Sequence, residues 1–262
     1  MMTPGISTAC FYPRHTEQVL CELAALKIQS VEIFINCMEE LSSSFVKNLK
    51  KIADSQGVKI LSIHPFTSAM EYLLFFSDYD RRFNEGLELY KKYYEAANLL
   101  GAEIVVFHGA FHDYPWEMEE YFERFSVMVK EAKKHGANLC HENVSRCISR
   151  DPIFFEKLSS AVPEAGFVLD IKQARRAGAD VFDFIKAMGE NLRHVHISDH
   201  DHSNICLSPG KGIFNIHFFL ETLRKNRFEG GVIVELYREN FRDIVEIQGA
   251  YQHLLKLIST VQ

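Results

Sequence analysis

Residues 103–109 read Glu103-Ile104-Val105-Val106-Phe107-His108-Gly109. Four apolar residues in a row, with no polar alternation, suit a strand buried on both faces, as parallel strands covered by helices are. The run ends on a histidine, a group that can titrate or ligate a metal. Upstream, the amphipathic stretch from Tyr79 to Leu100 predicts a helix stopped by Gly101. Downstream, Trp116 to His135 predicts another, closed by Gly136. The unit is therefore helix, buried strand, polar strand end, helix.

The same unit recurs in both directions. Toward the N-terminus, Ile6 to Cys10 is a short apolar start, and Val19, Leu20, Leu23 and Leu26 carry helical spacing. Val31 to Ile35 predicts a strand, Leu41 to Gln56 a helix stopped at Gly57, and Val58 to Ile63 a strand running into His64-Pro65. Toward the C-terminus, Asn138 to His141 leads into Glu142-Asn143. Asp151 and Pro152 suit the cap and first turn of a helix. Gly166 to Leu169 ends at Asp170, and Ala179 to Met188 is helical. Leu192 to Ile197 contains His194 and His196, and a polar loop follows from Ser198 to Gly212. Phe214 to Asn226 is helical, Val232 to Val234 ends at Glu235, and a last helix runs from Phe241 to Ile258. Eight strand–helix units in 262 residues predict one closed (β/α)8 TIM barrel spanning 1–262 as a single domain. No Gly-x-Gly-x-x-Gly follows a strand, and Gly210-Lys211-Gly212 is too short for a phosphate-binding P-loop.

Composition narrows the class. Hydrophobic residues make up 47% and charged residues 24%, enough apolar material for a large core. The net charge of −6 argues against a nucleic-acid partner, which calls for a basic stripe. The cysteines at 10, 21, 37, 140, 147 and 206 form no Cys-x-x-Cys pair, so a zinc knuckle has no support. Neither a signal peptide nor a long apolar run is present, so the reading is a cytoplasmic protein with reduced thiols and no membrane partner. The sequence carries no signal for oligomeric state.

His64, His108, Glu142, Asp170, His196 and Glu235 each stand at the end of a strand. In a barrel those ends meet at one mouth, where active sites are built. Buried carboxylates without partners are costly, and a cation relieves their repulsion. Carboxylates with imidazole and no thiolate suit one divalent metal: Mn, Co, Mg or Zn.

These residues, in this order, resemble the xylose-isomerase-like barrel superfamily, which holds sugar and sugar-phosphate isomerases, epimerases and the endonuclease-four type of DNA-repair enzyme (AP endonuclease family 2). The resemblance covers essentially the whole chain. It rests on His64, His108-Gly109, Glu142-Asn143, Asp170, His194-x-His196-x-x-Asp199, Pro209-Gly210-x-Gly212 and Glu235. It implies a metal held by Glu142, Asp170, His196 and Glu235, with Glu142 and Glu235 also the acid–base pair. It implies substrate contacts from His64 and His108, positions that hold another zinc in the nucleases. The nuclease site also requires a histidine where this chain has Gln173, and an Asp-x-His where it has Pro209-Gly210-Lys211. Many of the epimerases likewise carry a histidine at the position of Gln173, which here can hydrogen-bond a hydroxyl without changing charge.

The reaction so implied is isomerisation or epimerisation of a small sugar or sugar phosphate by carboxylate-mediated proton transfer, through an enediolate that the metal stabilises. A keto-polyol (inosose-type) dehydratase begins with the same proton abstraction and is the alternative; a metal-dependent nuclease ranks below both. Gln173, Lys211 and Trp116 complete the expected substrate contacts, with Phe34, Phe66 and Phe111 as further rim aromatics. Lys172 and Arg175, just beyond Asp170, are weaker candidates for meeting an anionic group.

Overall fold

Parallel strands cannot be joined by tight turns, so each needs a crossover, and helices supply it here. The computed structural model describes residues 1–113 and 117–261. Eight strands close into a barrel in chain order. They are β1 (Met2–Ser7), β2 (Ser30–Ile35), β3 (Lys59–Pro65), β4 (Ile104–Phe107), β5 (Asn138–Glu142), β6 (Gly166–Asp170), β7 (Leu192–Ile197) and β8 (Gly230–Val234). Closure is parallel, from Met2 beside Gly230 to Ile6 beside Val234. The described helices are α1 (Thr16–Ala25), α2 (Ser43–Gln56), α3 (Glu71–Phe75), α4 (Asp80–Leu100), α5 (Met118–Lys134), α6 (Pro152–Ala161), α7 (Ile171–Ala177), α8 (Val181–Met188), α9 (Ile216–Lys225) and α10 (Ile244–Val261).

Three elements depart from the sequence reading: β1, α7 and the short α3, which that reading did not contain. β1 begins at Met2 rather than Ile6, because pairing with β8 along its length overrides the poor strand propensity of Pro4 and Gly5. A Cβ on Gly5 would stand 2.6 Å from Ile233 Cδ1, so the close approach requires glycine. The segment before α8 is also helical. α7 starts directly after Asp170 and stops at Gly178, whose φ of 71° ends it in the left-handed region. Asp180 then caps α8 by accepting from Phe182 N at 2.9 Å.

The main apolar core lies between strands and helices. A separate small cluster, Ile104, Val106, Cys140 and Val168, fills the inside of the barrel. Its position orients the mouth, as alternation along each strand shows. Among the described residues, no helix is long and apolar enough to cross a membrane.

Candidate active site and metal centre

Alternate residues of a strand face the same side. Val106, Cys140 and Val168 fill the barrel interior, so His108, Glu142 and Asp170, two residues further on, face the same interior at its C-terminal mouth. The register carries the pattern across strands: Asp170 pairs with His196, and Phe34 pairs with His64. Glu235 N continues the ladder onto Ile197 O at 3.2 Å, bringing the eighth strand end to the same rim.

Glu142, Asp170, His196 and Glu235 offer ligand atoms that all lie within 4.8 Å of one another. His196 Nδ1 is 3.1 Å from Glu142 Oε1, 3.6 Å from Glu235 Oε2 and 3.9 Å from Asp170 Oδ2. Asp170 divides its oxygens. Oδ1 accepts from Gln173 N at 3.0 Å and caps α7, leaving Oδ2 for the cluster. Asn143 locks the strand ends together, donating to Asp170 O at 3.0 Å and accepting from Asp170 N at 2.6 Å. Burial pushes the Asp170 carboxyl up to about 7, with Lys172 opposing and the Glu142 and Glu235 charges adding to the rise. Burial also raises Glu142, but His108 and then His196 outweigh it and hold that carboxyl well below the usual range.

His64 and His108 meet Glu142 from the other side. Their Nε2 atoms are 3.1 Å apart, and His108 Nε2 is 2.7 Å from Glu142 Oε2. His64 Nδ1 lies 3.3 Å from Pro65 O, the geometry of a donor, which makes Nε2 the acceptor of the His108 proton. The shifts agree. Burial and then His108 push His64 down, whereas His108 is raised because Glu142 overcomes the cost of burial.

Three groups that the strand-end pattern could not reveal support this arrangement. Glu32, fully buried in the middle of β2, accepts from Ser7 Oγ at 3.0 Å, Ser62 Oγ at 2.8 Å and His196 Nε2 at 3.0 Å, and lies 3.3 Å from His194 Nε2. It fixes the His196 ring so that Nδ1 faces the cluster. Burial would lower His196, but Glu32, then Glu235 and Glu142, hold it well above its ordinary value. Glu71 of α3 accepts from the backbone N–H groups of His108 and Gly109 at 2.7 and 2.6 Å and from the Tyr90 hydroxyl, setting the turn that presents His108. Lys172, 4% exposed, hydrogen-bonds both Asp170 Oδ2 and Glu235 Oε2.

A cavity of about 340 Å³ opens over these groups, lined by Phe34, His64, His108, Glu142, Gln173 and Glu235, with Arg146, Tyr237 and Arg238 at its edge. A larger hollow of about 540 Å³ lies at the opposite end, among strand starts such as Lys59, Glu103, Asn138 and Gly230. The chemistry belongs to the smaller one, where the strand-end groups converge. Gln173 lines the cavity, and its Oε1 accepts from Ser145 N and Oγ at 3.1 and 2.8 Å. Lys211 is not brought to the cavity; it is exposed on the loop after β7. That loop is organised by buried Asp199, which accepts from the backbone N–H groups of His200, Gly210, Gly212 and Phe214 at 2.7 to 3.0 Å. Phe34 lines the cavity 5.2 Å from the His64 ring, whereas Phe111 stacks on Tyr72 at 4.4 Å. Trp116 lies outside the described residues.

The four-residue cluster fits a divalent cation. Three carboxylates and one imidazole converge from four successive strand ends, a hard donor set suited to Mn, Co, Mg or Zn.

Comparison with known proteins agrees with this architecture. The family described as xylose isomerase-like TIM barrel matches residues 21–260. Among solved structures, a D-tagatose 3-epimerase-like protein superposes with a TM-score of 0.82 at 21% identity, covering 99% of this chain and 98% of the other. The D-psicose 3-epimerase of Clostridium cellulolyticum H10 superposes with a TM-score of 0.80 at 18% identity, covering 99% of each. An inosose dehydratase of Mesomycoplasma hyopneumoniae is 25% identical over 195 residues, 61% of this chain and 64% of that protein's length. The match to that dehydratase thus spans less than two thirds of its length. The family match over nearly the full length, on a barrel with these strand-end groups, leads to one conclusion: the chain belongs to the xylose isomerase-like TIM barrel family.

Proposed function

We propose that this protein is a divalent-metal-dependent isomerase or epimerase of a small sugar or sugar phosphate, with residues 1–262 acting as one catalytic domain. The observation that carries the reading is the convergence of Glu142, Asp170, His196 and Glu235 beneath a cavity of monosaccharide scale. These four would hold the metal, which would polarise the carbonyl of a ketose. Glu142 and Glu235 both line the cavity, from the ends of β5 and β8. One carboxylate takes the proton from the carbon beside the carbonyl, and the other returns one. His64 and His108 orient hydroxyls from the cavity wall, Gln173 does so from the rim, and Phe34 offers a face to the sugar ring. Arg146 and Arg238 suit a phosphate at the edge of the cavity. Six free thiols suit a reducing cytoplasm.

The relative named as an inosose dehydratase favours a second reading, dehydration of a keto-polyol. It shares the first proton abstraction and parts from isomerisation when a neighbouring hydroxyl leaves. Both are tested by incubating ketoses, their phosphates and inososes with Mn or Co in deuterated water. Deuterium is expected at the carbon beside the carbonyl of the true substrate, and loss of water identifies a dehydratase. Glu142→Gln and Glu235→Gln should each suppress the exchange. Exchange that persists in both variants would remove the assigned roles, and no exchange with any compound would remove the reaction class.

A further inference from the structure

Lys172 engages two of the residues to which the metal is assigned. Its ammonium bridges Asp170 Oδ2 and Glu235 Oε2, two of the four ligand carboxylates. It does so from the second position of α7, whose first turn is pinned by the Asp170 cap, so its tether to the cluster is short. Its side chain is 5% exposed, so few waters share its charge. A divalent ion held by all four residues would compete with the ammonium for Asp170 and Glu235. The Tyr237 ring, 5.7 Å from Nζ, also faces the ammonium, a cation–π contact beside the same cavity.

We propose that Lys172 is a built-in counter-cation that competes with the metal for Asp170 and Glu235. It stabilises the metal-free barrel by neutralising carboxylates that would otherwise repel one another, and it weakens metal binding by the work of displacing it. Buried ion pairs lend themselves to such an exchange: breaking one is costly unless another cation takes its place. The consequence is a metal that binds reversibly and that the metal-free protein does not need in order to fold. The inference rests on the metal assignment made above, and the two can fail separately.

The test is titration of chelator-treated protein with Mn²⁺ by calorimetry, together with thermal unfolding with and without Mn²⁺. Lys172→Met keeps chain length and removes the charge. Its affinity for Mn²⁺ is expected to rise about tenfold or more over wild type, because the ion no longer has to break a buried ion pair in order to bind. Its metal-free form should melt below wild type and gain more from Mn²⁺. Lys172→Arg retains the charge and should stay near wild-type affinity. If Lys172→Met does not fold without metal, the same comparison is made with Lys172→Gln. Equal or weaker Mn²⁺ binding in the uncharged variants would overturn the competition while leaving the metal site standing. Absence of Mn²⁺ binding in wild type and variants alike would overturn both, and binding only in the uncharged variants would support the competition while overturning metal binding by the wild-type protein.

Discussion

Glu32 ties together three strands that are far apart in sequence, and its charge settles the orientation of His196. Partners that orient a metal-binding histidine typically affect affinity about 10- to 100-fold. Glu32→Gln is therefore expected to weaken Mn²⁺ binding within that range while the circular dichroism spectrum stays unchanged. Wild-type affinity in the variant would mean that other groups hold the ring. Glu71 gives a pH-dependent case. Burial raises its carboxyl from 4.5 to about 7, against the His108 ring, the Tyr90 hydroxyl and two backbone N–H groups. The folded state then binds this proton more tightly than the unfolded chain does. The stabilisation is complete below 4.5 and is lost as pH rises through about 7. Urea unfolding across that range should show wild type losing a few kcal/mol relative to Glu71→Gln, since each tenfold difference in proton affinity is worth about 1.4 kcal/mol. A difference that does not change with pH would place the Glu71 proton elsewhere. Glu142, Asp170, His196 and Glu235 are legible in the sequence because a polar residue closing an apolar run is a local signal. Glu32 is not, since it lies between Val31 and Ile33 and its partners come from β1, β3 and β7. Lys172 is visible there only as a neighbour of Asp170, because its second partner, Glu235, is 63 residues away.

At the scale of elements, the loop from β7 to α9 is built around the four backbone bonds to Asp199. Gly212 is pressed against that carboxylate: an added Cβ would lie 2.3 Å from both Asp199 Oδ1 and His200 O. Gly212→Ala should destabilise by about 1–3 kcal/mol, the usual cost of overpacking. Gly249, on α10, has nothing within 4 Å of the added methyl. Gly249→Ala should instead stabilise by about 0.5–1 kcal/mol, the helix preference for alanine over glycine. Urea unfolding of the two variants checks the contrast, and equal effects would contradict it. The ends of α2 and α4 are readable because Gly57 and Gly101 adopt φ of 66° and 73°, which glycine supplies without strain. α3 and α7 are not, because five and seven residues are too few to show a helical period.

At the scale of the molecule, the repeated strand–helix unit carries the barrel, because each buried strand and the helix that follows it can be read locally and eight such units have one common closure. The same scale bears on the nuclease alternative. The chain carries a net charge of −6, and Gln173 holds Ser145 where a further metal ligand would be needed. Pure protein should not incise DNA at abasic sites, and metal-dependent incision abolished by Glu142→Gln would reverse that conclusion. The central claim is that the barrel mouth holds one catalytic divalent ion on four successive strand ends. Crystals grown with Mn²⁺ and measured at the manganese absorption edge test it most directly. The expected result is one strong anomalous peak about 2.0–2.3 Å from oxygens of Glu142, Asp170 and Glu235 and from His196 Nδ1, as oxygen and nitrogen ligands of such ions lie. A map with no peak there, or with its principal peak elsewhere, would contradict the account.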